Sequence, residues 1–368
     1  MAVIHQAIAP PVLDGAVKPA NPQGYLDSAA DIAHALLRRG HAVVTPCSSP
    51  RPGQDGDWAY PDAAAGIADA VAAGARVVWA NTTLFRSHPL SGFAARTDLK
   101  VVGQGLRTVE RFEDKRVCHL MCREAGLPVP RQSVVDLGPA AGSAARSVES
   151  VLTDGHWTFP VVVKPLRGRG SDGVLVVGSA AEAVAHIEAL AASGATAPDG
   201  RPVSRYGNRY LIEEFLPGDE WTVTVMPPGR YRTPDGTGQV AKPWALPPIG
   251  RTGHQDGVLP YSGRVPVSSN STPVRTTHAL GEALRSCEEA AHRIGITAPI
   301  RIDCRQDAQG RVRLFDINLK PNMTGPGRPG REHMTNLAGM AAEAIGWSYP
   351  DLLTAMADNA VPIGRTTQ

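Results

Sequence analysis

Two carboxylates, an amide and an arginine recur near the C-terminal end at spacings that could build a cation site: Arg301-Ile302-Asp303-Cys304 and Phe315-Asp316-Ile317-Asn318. Side chains i and i+2 of a strand share a face. Arg301 and Asp303 therefore point one way together, as do Asp316 and Asn318. Asp307-Ala308-Gln309-Gly310 reads as the turn of a hairpin whose strands cover 300–305 and 311–318. If a two-residue loop closes it (Ala308-Gln309 or Gln309-Gly310), all four side chains fall on one face. Asp303 and Asp316 then stand opposite or one diagonal step apart, within about 4.5–8 Å. Two carboxylates that close, in strands otherwise built of Ile, Val, Leu and Phe, repel each other and pay for desolvation. Hard oxygen donors suit Mg²⁺, which takes one or two carboxylates together with substrate phosphates. The plainer alternative is a polar outer face neutralised by Arg301.

Two further segments could handle a nucleotide. In VVVKPLRGRGSDG (161–173) a β-branched strand delivers Lys164 to a glycine-rich turn. Glycines let backbone N–H groups approach an anion and permit the positive φ of concave anion sites. Lys164 adds a point charge and Ser171 a hydroxyl. The GxxxxGK[ST] order is missing, so this is not a Walker A loop; a plain hairpin is the alternative. In IEEFLPGDE (212–220) a strand leaves through Pro217-Gly218 among acids. Such a hinge can offer backbone groups to a purine edge, and a carboxylate just beyond can accept from two ribose hydroxyls. Solvation of an acidic loop is the alternative.

The elements that position these groups are legible in outline. An apolar run at 3–8, a helix at 27–39, a strand at 41–45, a helix at 63–73 and a strand at 76–80 alternate, which predicts a parallel sheet covered by helices. Asn81, Arg86 and His88 follow a strand end, where ligands of such sheets sit, although polar loop residues are common there. A helix is expected over 110–124. Strands are expected at 159–164, 174–177, 209–215 and 221–226, with helices at 180–192 and 273–294. Residues 230–271 read as long and turn-rich.

Composition sets bounds. The chain has 368 residues, with 37 Lys and Arg against 35 Asp and Glu. Two or three domains follow from the length, and near-neutrality argues against a protein held to nucleic acid by charge. No apolar run is long enough to span a membrane and the start lacks a secretory pattern, so the cytoplasm is the expected compartment. Five cysteines do not make a disulfide scaffold; Cys118 and Cys122, four apart, read as buried thiols. Only Lys18, Lys100, Lys115, Lys164, Lys242 and Lys320 are lysines, which singles them out among the basic residues.

Taken in order, these segments resemble the ATP-grasp superfamily, and within it the D-alanine–D-alanine ligase-like carboxylate–amine ligases, over about residues 108–335. The Asn318-Leu319-Lys320-Pro321-Asn322-Met323-Thr324 match to NxxPxMT is the most specific. The resemblance implies an α/β (α+β) chain. A pre-ATP-grasp parallel domain would cover 1–107, a central subdomain with the phosphate loop 108–207, and a C-terminal subdomain with hinge, metal site and substrate segment 208–368. It implies that Lys115 and Lys164 bind ATP with Gly170, Ser171 and Gly173 of the loop. Glu213, Glu214 and Leu216 would line the purine hinge, and Glu220 would take the ribose. Asp303, Asp316 and Asn318 would hold Mg²⁺ (two ions, with Mn²⁺ as a substitute), and Arg301 would stabilise the charged intermediate. The implied activity is amide-bond formation between amino acids or similar small molecules through an acyl phosphate. Its partners are a carboxylate and an amine substrate. Separately, a homodimer is the expectation from the general frequency of symmetric dimers, and charge and hydropathy give no nucleic acid or membrane partner. Arg251, His254, Lys320, Arg328 and Arg331 are the candidates to meet the carboxylate substrate, although Arg328 and Arg331 could instead brace the tail. Asp316 stands where glutamate is usual, Lys320 and Asn322 replace small residues, and Arg169 and Asp172 charge the phosphate loop. Residues 230–271, with Tyr261 and Arg264, do not match the alanine ligases. The alternatives are an ATP-grasp kinase or carboxylase that stops at phosphoryl transfer, and a nucleotide-binding protein without catalysis.

Overall fold

Short β-branched runs alternating with amphipathic helices build a parallel sheet at the N-terminal end. A computed structural model of the chain describes residues 1–18, 25–138, 143–168, 170–233, 236–259, 266–275 and 277–367. Arg169, Tyr261 and Arg264 lie outside them. With strands and helices numbered along the chain, β1 (Ala2–His5), β2 (Tyr60–Pro61), β3 (Val77–Asn81) and β4 (Lys100–Val102) run parallel. β19 (Val361–Pro362) closes the edge antiparallel to β4, so the end of the chain completes the first sheet. Helix α1 (Leu26–Arg38) buries Ala29, Ile32, Ala33 and Leu36, and α2 (Ala64–Ala72) buries Ile67 and Ala70. Residues 41–45 do not form the expected strand; the Val44 N–H reaches the Met1 carbonyl at 2.8 Å and the Met1 amino group donates to the Ala42 carbonyl.

Asp62, after β2, ties the carboxyl ends of this sheet together. It accepts from the N–H groups of Ala7 and Ile8 (2.8 and 2.9 Å), the Thr82 hydroxyl (2.6 Å) and His88 Nε2 (3.3 Å). Burial pushes this carboxyl up, but the bonds from His88, Thr82 and the two amides win and hold it below the usual carboxylate range. His88 and Asn81, which bonds the Tyr25 carbonyl and Ser28, are thereby committed to structure.

The helix expected over 110–124 is two helices, α3 (Leu106–Phe112) and α4 (Lys115–Glu124). Asp114 makes the break: its carboxylate accepts from the N–H groups of Arg116 and Val117 at 2.8 and 3.1 Å, an N-cap that starts a new helix. Lys115 becomes the first helical residue. Cys118 and Cys122 on α4 are buried, and burial pushes both thiols up, Cys122 to about 12, so they stay protonated and pack.

The second sheet is antiparallel, in the order β5 (Gln132–Asp136), β10 (Arg209–Glu214), β6 (Val161–Pro165), β7 (Leu175–Val177). Helices α5 (Ser143–Asp154) and α6 (Ala180–Ala191) cover one face, their Val148 and Ile187 joining Val163 and Ile212 of the sheet in one core. β10 lies past the boundary expected at 207/208 yet belongs here. A ribbon of β8 (Gly194–Thr196) and β9 (Pro202–Ser204) hangs beside it.

The third sheet runs β16 (Ser271–Pro273), β15 (Ile249–Arg251), β11 (Glu220–Met226), β17 (Ile300–Gln306), β18 (Val312–Asn318), with β14 (Trp244–Ala245) also on β11. Helix α7 (His278–Ile294) packs behind it through Leu280, Ala283, Cys287 and Ala291. It starts at a Thr277 cap, five residues later than expected, because Pro273 belongs to β16. Residues 230–271, read as turns, hold β14 and β15, most of the ribbon β12 (Gly229–Thr233) with β13 (Gly236–Val240), and the start of β16. The tail forms α8 (Leu337–Glu343), α9 (Tyr349–Asp358) and α10 (Ile363–Thr367).

Candidate active site between the two antiparallel sheets

The register of the third sheet sorts its cleft-facing residues into rows. Paired residues share a face. Glu220 pairs with Arg251 and Arg305; Thr222 pairs with Ile249 and Asp303, and Asp303 with Asp316; Thr224 pairs with Arg301, and Arg301 with Asn318. Successive rows lie two residues, about 7 Å, apart. Along one axis the face therefore presents an acid with arginines, then two carboxylates with a threonine, then an arginine with an amide.

Asp303 stands directly opposite Asp316 through a correction in β18. The loop beyond the Gln306–Val312 pair takes residues 307–311, not two residues, and that register alone would set Asp303 against Phe315. A bulge at Phe315 shifts the ladder by one and restores Asp316 to the cleft face. The bulge also turns the Phe315 carbonyl toward Lys164 Nζ, at 3.4 Å.

The carboxylates are met by cations of the protein. Lys115 donates to Asp316 at 2.6 Å. Arg301 forks onto Asp303, Nε and Nη2 each at 3.1 Å, and the buried Thr222 hydroxyl also bonds Asp303. Burial pushes the Asp316 carboxyl up, but Lys115, Lys164 and Arg301 outweigh it and hold it below the carboxylate range. Burial likewise lowers the Lys115 ammonium, and Asp316 overcomes that and raises it. Lys164 is buried against Glu213 at 2.6 Å, and Gln132 donates to the other Glu213 oxygen at 2.8 Å. The compensation that the sequence demanded thus comes from Lys115, Arg301 and Thr222.

These groups border one open cleft of about 840 Å³. Its floor carries Lys115, Arg301, Asp303 and Asp316; Lys164, Val162 and Val176 come from the second sheet. The phosphate-loop candidate hangs over it. Gly170 and Ser171 have φ of +65° and +58°, and the Ser171 hydroxyl bonds the Leu259 carbonyl at 2.9 Å. Asp172 is held by Tyr206 (2.9 Å) and Arg205 (2.7 Å). Gly173, at φ +74°, packs where a Cβ would sit 2.8 Å from Pro165 Cγ, so its place is in the turn behind the cleft. Glu214, Phe215 and Leu216 line the far end; the Glu214 carboxylate is turned to the Arg131 N–H at 3.1 Å. Glu220 accepts from His254 Nε2 at 2.9 Å.

The remaining candidates disperse. Arg251 is buried in the Glu220 row. Lys320 lies beyond the Asn318 row with Nζ 3.4 Å from the Tyr25 ring centroid. Arg328 binds Asp31 (2.9 Å), Asp55 (2.6 Å) and the Pro52 carbonyl, and Arg331 binds Asp31 and Asp27. Both arginines brace the tail against α1, and the expectation that they face the carboxylate substrate gives way to that role. Sequence reasoning missed Thr222 and Arg305; of the 253–259 segment it singled out His254 alone, for the carboxylate substrate.

Among the described residues no three His, Cys, Asp or Glu side chains cluster to hold a metal by themselves. The donor set is two carboxylates and the Asn318 amide, all hard oxygens on one face. That set fits Mg²⁺ when phosphate oxygens complete the shell.

Comparisons with known proteins follow the same lines. Residues 157–240 match an ATP-grasp domain. The D-alanine–D-alanine ligase of Verminephrobacter eiseniae is 30% identical over 271 residues, 71% of this chain and 69% of the relative. That of Stutzerimonas stutzeri is 27% identical over 75% of this chain and 74% of its own length. The D-alanine–D-alanine ligase structure from Bacillus anthracis superposes with a TM-score of 0.63 at 15% identity, covering 97% of this chain and 95% of that one. VanG D-Ala:D-Ser ligase from Enterococcus faecalis gives 0.62 at 13% identity, covering 96% and 97%. With the rows of the cleft, these likenesses place the chain in the D-alanine–D-alanine ligase family of ATP-grasp proteins, as an ATP-dependent carboxylate–amine ligase that forms a peptide bond.

Proposed function

We propose that the cleft binds ATP lengthwise along the rows and activates a substrate carboxylate as an acyl phosphate. The pairing of Asp303 with Asp316 at the centre of the face, with Lys115 on one of them, carries this reading. The purine lies at Glu213, Glu214 and Leu216, and the ribose at Glu220. The phosphates lie under residues 168–173, with Lys164 and Lys115 beside them. Asp303, Asp316 and Asn318 hold one or two Mg²⁺ ions, which Mn²⁺ can replace; bound there, the metal neutralises phosphate charge and orients the chain of phosphoryl groups. The substrate carboxylate attacks the γ-phosphorus and ADP leaves. The amine attacks the acyl carbon, phosphate leaves, and the amide remains. Arg301, in the row beyond the carboxylates, meets the oxyanion that forms at the acyl carbon. The Ser171–Leu259 bond supports closure of the loop against water, which would hydrolyse the acyl phosphate.

The substrates are amino acids or small amino-acid-like molecules of specialised metabolism; the expected assembly is a cytoplasmic homodimer without nucleic acid or membrane partners. No helix among the described residues is long and apolar enough to cross a membrane. Phosphate release measured against pairs of carboxylates and amines, with products identified by mass, tests the reading. Condensed product that needs both partners supports it; a phosphorylated product that accumulates over many turnovers and is not converted to an amide when amine is supplied sinks it.

A further inference from the structure

Beyond the Leu259 bond to the phosphate loop, the segment 253–259 holds Glu220 and Arg305 by bonds that the reaction scheme does not use. It begins with Gly253 (φ +79°) and turns through Asp256 (φ +48°) and Gly257 (φ +80°). The mutual bonds of Gln255 and Val258, both 2.9 Å, close the turn. Three bonds clasp it to cleft residues. His254 Nε2 donates to Glu220 Oε2 at 2.9 Å, Arg305 Nη1 donates to the Gly257 carbonyl at 2.8 Å, and Ser171 donates to the Leu259 carbonyl at 2.9 Å. A Cβ on Gly257 would stand 3.0 Å from Val176 and 3.1 Å from Phe215, both of which line the cleft. The turn therefore lies against the ribose end of the cleft wall.

Glu220 is 4% exposed, and its two oxygens are treated differently. Oε2 is taken by His254, with Arg305 Nη1 at 3.8 Å. Oε1 is buried with no hydrogen-bond partner. A carboxylate only accepts, so His254 Nε2 must carry the proton of its bond. A buried acceptor left without a donor is costly, and a ligand hydroxyl in the cleft would remove that cost.

We propose that His254 is a positioning residue for nucleotide recognition. By holding Oε2 it sets the rotamer that presents Oε1 to a ribose hydroxyl, and by the same bond it fastens the 253–259 turn to the cleft. This rests on the reading of Glu220 as the ribose carboxylate. His254 touches no reacting atom in this role.

The test compares calorimetric Kd values for Mg-ATP and Mg-2′,3′-dideoxy-ATP in the full chain, which needs no knowledge of the substrates. The ratio of the two is independent of the fraction of protein that is folded. The unmodified protein is expected to prefer ATP by about tenfold, the worth of one hydrogen bond to a charged group. Glu220→Gln and His254→Ala should both bring the ratio close to one. His254→Phe, which fills the space without a donor, should do the same, and His254→Gln, which keeps an N–H, should retain a preference. Full discrimination in His254→Ala and His254→Phe, alongside its loss in Glu220→Gln, overturns the proposal and leaves the ribose reading standing. Full discrimination in Glu220→Gln, or none in the unmodified protein, overturns the ribose reading itself.

Discussion

At the scale of single residues, the cleft is a set of charges that answer one another. Asp303 is shared by Arg301 and Thr222, and Asp316 by Lys115. Asp303→Asn and Asp316→Asn are near-isosteric, so each should lower ATP turnover by about 10²-fold or more while leaving the circular dichroism spectrum unchanged. Lys164 and Glu213 form a buried pair. Lys164→Ala should weaken ATP binding more than tenfold by calorimetry, and it should also destabilise the fold by about 3–5 kcal/mol in urea titration, because Glu213 is left buried without its cation, with Gln132 still donating to one oxygen. A second change, Glu213→Gln, should recover much of the stability and none of the affinity. These residues were legible in the sequence because their types are hard to place otherwise: lysine is scarce in this chain, and aspartate is unusual in an apolar strand. Thr222 was not, because a threonine in a strand needs no explanation until its partner is known.

At the scale of elements, local breaks do the aiming. Asp114 ends one helix and caps the next, which puts Lys115 at a helix start facing Asp316. Asp114→Ala should cost about 1 kcal/mol of stability and raise the KM for ATP; Asp114→Ser, which still caps, should restore both. The bulge at Phe315 brings Asp316 to the cleft face after a loop of the wrong length for it. Here the sequence allowed two registers for the hairpin, and one of them paired Asp303 with Asp316. Yet the actual route to that pairing, a longer loop and a compensating bulge, depends on contacts across β11 and Lys164 that no local pattern encodes. The 41–45 stretch lies beside the start of β1, bonded to Met1 through the Ala42 carbonyl and the Val44 N–H, while β2 takes Ile4 and His5, so it adds no strand of its own.

Asp62 shows an element-scale effect of pH. Its carboxyl is held below its ordinary value in the folded chain by His88, Thr82 and two backbone amides, against the cost of burial. A carboxylate with a lowered folded pKa stabilises the fold above its unfolded value, near 4, and that contribution fades as pH falls through the folded value. Urea midpoints should therefore drop below about pH 4 in the unmodified protein. Asp62→Asn should start less stable at neutral pH and show a shallower acid decline.

At the scale of the whole molecule, the chain ends bind the three sheets into one frame. β19 joins the first sheet, and Arg328 and Arg331 reach back to Asp31 and Asp27 on α1. Arg328 is buried, so Arg328→Ala strands Asp31 without its main partner and should cost about 3–5 kcal/mol by urea unfolding. The folded fraction should bind ATP with unchanged Kd, a result that separates bracing from substrate contact. The sequence left both roles open for these arginines, since the partners lie some three hundred residues away on α1. The alternation of strands and helices in the N-terminal stretch, which makes the first sheet parallel, was legible in the sequence. The place of β10 in the second sheet and of β19 in the first was not, because sheet membership is decided by pairing across the molecule.

The central claim, that paired Asp303 and Asp316 serve phosphoryl transfer to a carboxylate that an amine then captures, has one direct test. ADP, phosphate and product masses are measured together for the unmodified protein and for Asp316→Asn, over a matrix of amino-acid pairs. The account predicts ADP, phosphate and a product lighter by one water than its two substrates, in equal amounts, only when both partners are present, with all three lost in Asp316→Asn. ATP turnover without a condensed product for any pair, or full turnover in Asp316→Asn, would contradict it.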